Sequence, residues 1–177
     1  MFKIILFGLL FFPELACTQD TIGSTGSKIS SEDARAILDH HNKIRKDLDI
    51  PPLSWSADLA AYAQNWADSL ATSYNCHLVH RKNQGENIPG YGENLYQGSS
   101  AESFKPIDAS RGWYDEIQKY TYAKLDENNW SATAHYTQMI WKNTKEIGVG
   151  VAICPDGGLI VVANYNPPGN YMGEYPY

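Results

Sequence analysis

The residues best able to do chemistry in this chain are its five histidines, His40, His41, His77, His80 and His135. An imidazole near neutral pH can bind a divalent metal through a ring nitrogen or move a proton, because its unperturbed pKa is about 6.5. His135 is the second residue of the stretch AHYTQMIW, residues 134–141, where a polar ring precedes two large apolar residues and a tryptophan. None of the five belongs to an HExxH zinc motif, and the chain has no GxSxG nucleophile turn. His41 continues the apolar stripe of a helix and reads as a core histidine with both nitrogens satisfied. His40 is one position off that stripe and reads as solvated, and His77 adjoins Cys76 in a loop.

The elements that must hold these residues follow from periodicity. Ser30 with Asp33 is a weaker relative of a capping box, and Ala34, Ile37, Leu38, His41, Ile44 and Leu48 then recur at helical spacing until Ile50-Pro51-Pro52. A second helix follows Ser56, with Leu59, Ala63, Trp66, Ala67 and Leu70 on one face. Residues 73–92 read as loop, 93–98 (ENLYQG) as a short strand and 99–107 as loop again. Ile107, Trp113, Ile117 and Tyr120 suggest a third helix, and His135–Lys142 a short fourth. The period then changes: Val149, Val151 and Ile153 alternate with smaller residues, Leu159–Val162 is an aliphatic run, and CPDGG between them is turn chemistry. That is an antiparallel hairpin, and the class is α+β.

The chain has 177 residues, 43% hydrophobic and 19% charged, enough for one domain with a real core. A formal charge of −6 excludes nucleic acid as a main partner, since nothing supplies a basic face. Residues 1–17 read as a secretory signal: Lys3, then an apolar run from Ile4 to Phe12 too short to span a bilayer. Cys17 after Leu15-Ala16 resembles a bacterial lipoprotein processing site, but Glu14 stands where an aliphatic residue belongs. Ordinary secretion is therefore preferred, and a membrane is a partner only if Cys17 is lipidated. Residues 18–31, rich in Ser, Thr and Gly, read as a flexible linker, leaving 32–177 as the domain. Asn129-Trp130-Ser131 is a glycosylation acceptor if the host is a eukaryote.

Seven segments in order resemble the CAP superfamily (cysteine-rich secretory proteins, antigen 5 and pathogenesis-related 1 proteins): HNKIR at 41–45, LSWSADLAAYAQNWA at 53–67, CHLVH at 76–80, YGENL at 91–95, WYDE at 113–116, HYTQMIW at 135–141 and NYNPPGNY at 164–171. The chain is most similar to the plant-type and bacterial single-domain members. The resemblance implies an α-β-α sandwich with a small antiparallel sheet flanked by helices, and a cleft bearing His80, Glu93, Glu116 and His135. GEN occurs twice, but only the second copy has the flanking Tyr91 and Leu95, which selects Glu93 over Glu86. Asp115 points about 100° away from Glu116 on a helix.

The residue types support that set. Two neutral imidazoles can ligate Zn²⁺ at about 2.0–2.1 Å, with two carboxylates orienting the rings or holding metal-bound water. A buried polar network that only fixes the fold is the alternative. The resemblance also implies a Cys76–Cys154 disulfide, with Val149 and Ala163 where a second bridge is expected, and Ala134 in place of the usual Gly before His135. It places Phe104 and Ile107 where sterol-binding relatives carry a flexible loop near a lipid cavity; anchoring the loop is their alternative role.

The implied function is a secreted, monomeric binding protein for a sterol, fatty acid or other small lipid, with zinc as the candidate cofactor. A metal-assisted hydrolase and an extracellular defence or host–microbe module are the alternatives.

Overall fold

A computed structural model describes residues 22–82 and 90–177. The signal, Cys17 and Glu86 lie outside the described residues, as do residues 18–21 of the expected linker.

Helix α1 (Ser31–Asp47) starts where Ser30 Oγ accepts from Asp33 N–H. It stops two residues before Asp49, whose positive φ of 56° turns the chain into Ile50-Pro51-Pro52. A two-residue strand β1 (Ser54–Trp55) leads to α2 (Ala57–Ser73), capped by Ser56. Strand β2 (Gly92–Gly98), α3 (Pro106–Asp115), a single 3₁₀ turn (Glu116–Lys119), α4 (Ala134–Met139), β3 (Glu146–Ile153) and β4 (Leu159–Asn166) complete the order.

The strands form one sheet in the order β1-β3-β4-β2. The expected hairpin is β3–β4, and β2 pairs antiparallel on the far side of β4. The sheet is not wholly antiparallel. β1 runs parallel to β3 through Ser54↔Glu146 and Trp55↔Ile147, a pairing too short to leave a period-two signal in sequence.

Alternation along β4 divides the core. Val161, Ala163 and Tyr165 face α1, α3 and α4, whereas Ile160 and Val162 face α2. On the α2 side the approach is close. A Cβ at Gly148 or Gly150 would overlap the backbone of Ala60 or Gln64, so the Ala-rich face of α2 lies directly on β3. The outer edge of β3 beyond β1 is covered by side chains. Gln64 donates to Val151 O at 2.7 Å and accepts from Val151 N–H at 3.1 Å, and Ser27 Oγ donates to Val149 O.

Cys76, just after α2, is bonded to Cys154 at the hairpin turn. Val149 and Ala163 sit directly opposite one another on β3 and β4, both fully buried.

Two expectations along the chain need correction. The third helix breaks at Asp115 into the 3₁₀ turn, which leaves Ile117 exposed instead of on a core stripe. The fourth helix ends at Met139; Trp141 lies beyond it, fully buried against Gly169.

Candidate functional site: two histidine–glutamate dyads

Glu116 is the N-terminal residue of the 3₁₀ turn, and its carboxylate reaches the start of α4. Thr133, the residue preceding that helix, makes no side-chain cap bond. Glu116 Oε2 takes its place, accepting from the backbone N–H of His135 at 2.9 Å and of Tyr136 at 3.1 Å. These are the second and third helical positions, whose donors have no partner inside the helix. The same carboxylate accepts from His135 Nδ1 through Oε1 at 2.6 Å. One side chain thus caps a helix and fixes the orientation of a ring. Beneath, Trp113 of α3 is nearly parallel to the His135 ring at 6.4 Å between centroids, and its indole N–H donates to Leu95 O of β2. Ala134 is an ordinary helical residue outside the set of positive φ angles, so the glycine expected there is not needed for its dihedral.

The second dyad is built on β2. Glu93 Oε1 accepts from His80 Nδ1 at 2.9 Å and from Arg81 N–H at 3.0 Å. Its carboxylate is only 9% exposed, whereas the His80 ring is 67% exposed. The hydrogen bond to Glu93 raises the His80 pKa above its usual value, outweighing partial burial. Arg81 lies over the Tyr62 ring at 3.9 Å, and Tyr62 meets Tyr91 edge-on, so an aromatic wall flanks this dyad.

The four expected cleft residues therefore stand as two pairs, each imidazole presenting Nδ1 to a carboxylate. Asn94 links them: it follows Glu93 on β2 and its Nδ2 donates to His135 O at 3.1 Å. Among the described residues, no three His, Cys, Asp or Glu side chains gather closely enough to hold one metal ion.

The remaining histidines sit elsewhere. His41 is fully buried: Nδ1 donates to Ile37 O at 2.8 Å, leaving Nε2 to accept from the Tyr165 hydroxyl at 3.0 Å. Burial lowers its pKa to about 3. His40 is not solvated as expected. It is half-buried against Ser110 Oγ at 2.8 Å and the Tyr114 ring, because α3 covers that side of α1. Phe104 lies over Gly98 and near Tyr96, and Ile107 packs on the core beside α1.

Sequence reasoning missed Arg45. Its guanidinium is fully buried and donates to the carbonyls of Pro51, Met139, Trp141 and Thr144 at 2.7–3.0 Å, tying α1 to the end of α4. The signal was present, since Arg45 lies four residues after His41 on the same helix face.

The profile of the cysteine-rich secretory protein (CAP) family matches residues 38–165. The chain belongs to that family. It is 41% identical over 140 residues to pathogenesis-related protein 1A of Nicotiana tabacum, covering 79% of this chain and 78% of that protein. Pathogenesis-related protein 1 of Arabidopsis thaliana is 33% identical over 158 residues, 88% of this chain and 90% of that one. Among solved structures, BmVAL-1 aligns with a TM-score of 0.72 at 27% identity, covering 86% and 84% of the two chains. NaASP2, solved with Zn²⁺, aligns with a TM-score of 0.72 at 26% identity, covering 84% and 86%. The α+β sandwich is that of the CAP domain.

Proposed function

We propose that this CAP-domain protein acts outside the cell, in defence or in contact between host and microbe, and that its dyads bind a divalent cation with the character of Zn²⁺. The observation that carries the cation is that both His80 and His135 hand Nδ1 to a glutamate. That bond fixes the tautomer and leaves Nε2 as the ligating nitrogen, the arrangement that supports metal-bound imidazoles. The similarity to NaASP2, a structure containing Zn²⁺, and the Cys76–Cys154 bond, suited to an oxidising compartment, support the same reading.

The donor set fits zinc in kind, with two imidazoles from the protein and water to complete four-coordination. Its role would be to hold an anionic or carbonyl group of a bound partner in the cleft. The other readings have less support. Phe104 and Ile107 turn apolar surface toward the core, which suits a loop anchor better than a sterol or fatty-acid contact. A hydrolase lacks an obvious spare base, since both glutamates are engaged by imidazole and backbone N–H. Ser110 is fully buried and so is not presented as a nucleophile.

Calorimetry of EDTA-treated protein with zinc chloride at pH 7.5 tests the proposal. One equivalent is expected to bind, and His80→Ala and His135→Ala are each expected to weaken it by about tenfold or more. Absence of saturable binding to the wild-type protein overturns the cation site.

A further inference from the structure

The C-terminal segment folds back on the stretch after the 3₁₀ turn and is held there by backbone bonds. Leu125 N–H donates to Glu174 O at 2.9 Å, Gly173 N–H to Leu125 O at 2.8 Å and Lys142 N–H to Pro176 O at 2.7 Å. The Tyr122 hydroxyl donates to the main-chain oxygen of Tyr177. These contacts bring three tyrosine rings together at the surface. Tyr122 and Tyr175 are 5.1 Å apart between centroids with planes 24° apart, and Tyr122 and Tyr177 are 4.9 Å apart at 46°. Tyr122 is 52% and Tyr175 47% exposed.

Other tyrosine neighbourhoods lack this combination. Tyr136 also touches two tyrosines, Tyr114 and Tyr120, but is 1% exposed. Tyr62 and Tyr91 meet at 85°, and the Arg81 guanidinium lies over Tyr62.

We propose that Tyr122 is an oxidative cross-linking site, joined to Tyr175 or Tyr177 by a dityrosine bond when a haem peroxidase and hydrogen peroxide act on the folded protein. Each tyrosine gives up one electron and its phenolic proton. The two phenoxyl radicals join at ring carbons ortho to oxygen, and the hydrogens on those carbons move to the oxygens, restoring both phenols. Hydrogen peroxide takes up the two electrons and two protons, its O–O bond breaks, and two waters form. An exposed ring gives the oxidant access. A second ring about 5 Å away, held by the tail's own hydrogen bonds, favours coupling within the molecule over coupling between molecules, as effective concentration requires. The product ties the C-terminal segment to residue 122 as a second covalent staple in addition to Cys76–Cys154.

The test oxidises the dilute, non-reduced full chain with peroxidase and peroxide. It reads dityrosine fluorescence, oligomeric state and tandem mass spectrometry of tryptic peptides. The expected product is monomeric and, once the Cys76–Cys154 bond is reduced and alkylated after oxidation, shows peptide 120–124 linked to peptide 146–177 and lighter by two hydrogens. The link is expected to disappear in Tyr122→Phe and in the Tyr175→Phe/Tyr177→Phe double variant, to persist in Tyr120→Phe, and to fall several-fold when oxidation is carried out in urea. Coupling confined to dimers, a link that survives Tyr122→Phe, or no link at all overturns the proposal.

Discussion

His41 and the His80/His135 dyads place one residue type in two settings, and the difference lies in the partners. His41 hydrogen-bonds only neutral groups, a carbonyl, a phenol and a hydroxyl, inside the core. Burial there favours the uncharged ring and uses both nitrogens for packing order. Each dyad histidine instead gives Nδ1 to a carboxylate, which leaves Nε2 available to another partner. Imidazole content alone does not mark a site; what each nitrogen meets does.

The contrast breaks most visibly at the inner site. His41→Leu keeps the volume but removes the acceptor of the buried Tyr165 hydroxyl and the ring's bonds to Ile37 O and Ser110 Oγ, and is expected to cost about 3 kcal/mol in urea denaturation, with zinc affinity unchanged in the folded fraction. Equal damage to zinc binding would show that the two regions are one unit. Next in size, Glu116→Ala removes the cap of α4 and is expected to cost about 1 kcal/mol, read as a lower midpoint in thermal unfolding. If stability is unchanged, the cap seen between Glu116 and the His135 and Tyr136 amides does not hold in solution.

The pH dependence sharpens the contrast because its sign differs. The His41 pKa is depressed to about 3 in the folded state, so between that value and about 6.5 the unfolded chain binds more protons and stability rises with pH. The His80 pKa is raised by its bond to Glu93, so its contribution is complete below about 6.5 and is lost as pH rises through the folded value. The second effect is small because the ring is exposed and screened. Two-dimensional NMR titration should place the His80 midpoint above 6.5 and bring it down in Glu93→Gln; identical midpoints would mean the dyad is not formed.

Much of this was readable in the residues. α1, α2 and the hairpin follow from period and caps, and the core role of His41 from its place on a stripe. The dyad partners came only through family resemblance, because Glu116–His135 and His80–Glu93 join segments whose local patterns carry no trace of each other. The parallel β1 pairing was too short to read. Arg45 was overlooked for the opposite reason: its local pattern was clear, but a charge on an apolar stripe is satisfied here by loop carbonyls that only the tertiary fold brings near.

Gln64 has a consequence for behaviour at high concentration. Past the two residues of β1, the outer rim of β3 would offer unpaired amide and carbonyl groups to a strand from another molecule. The carboxamide of Gln64 bonds Val151 on both its N–H and its C=O, imitating a neighbouring strand one residue long. It also accepts from Lys28 N–H, which holds the leading segment alongside. A side chain on a helix thus closes a sheet against self-association, so that keeping this protein from aggregating falls in part to a residue that touches no ligand.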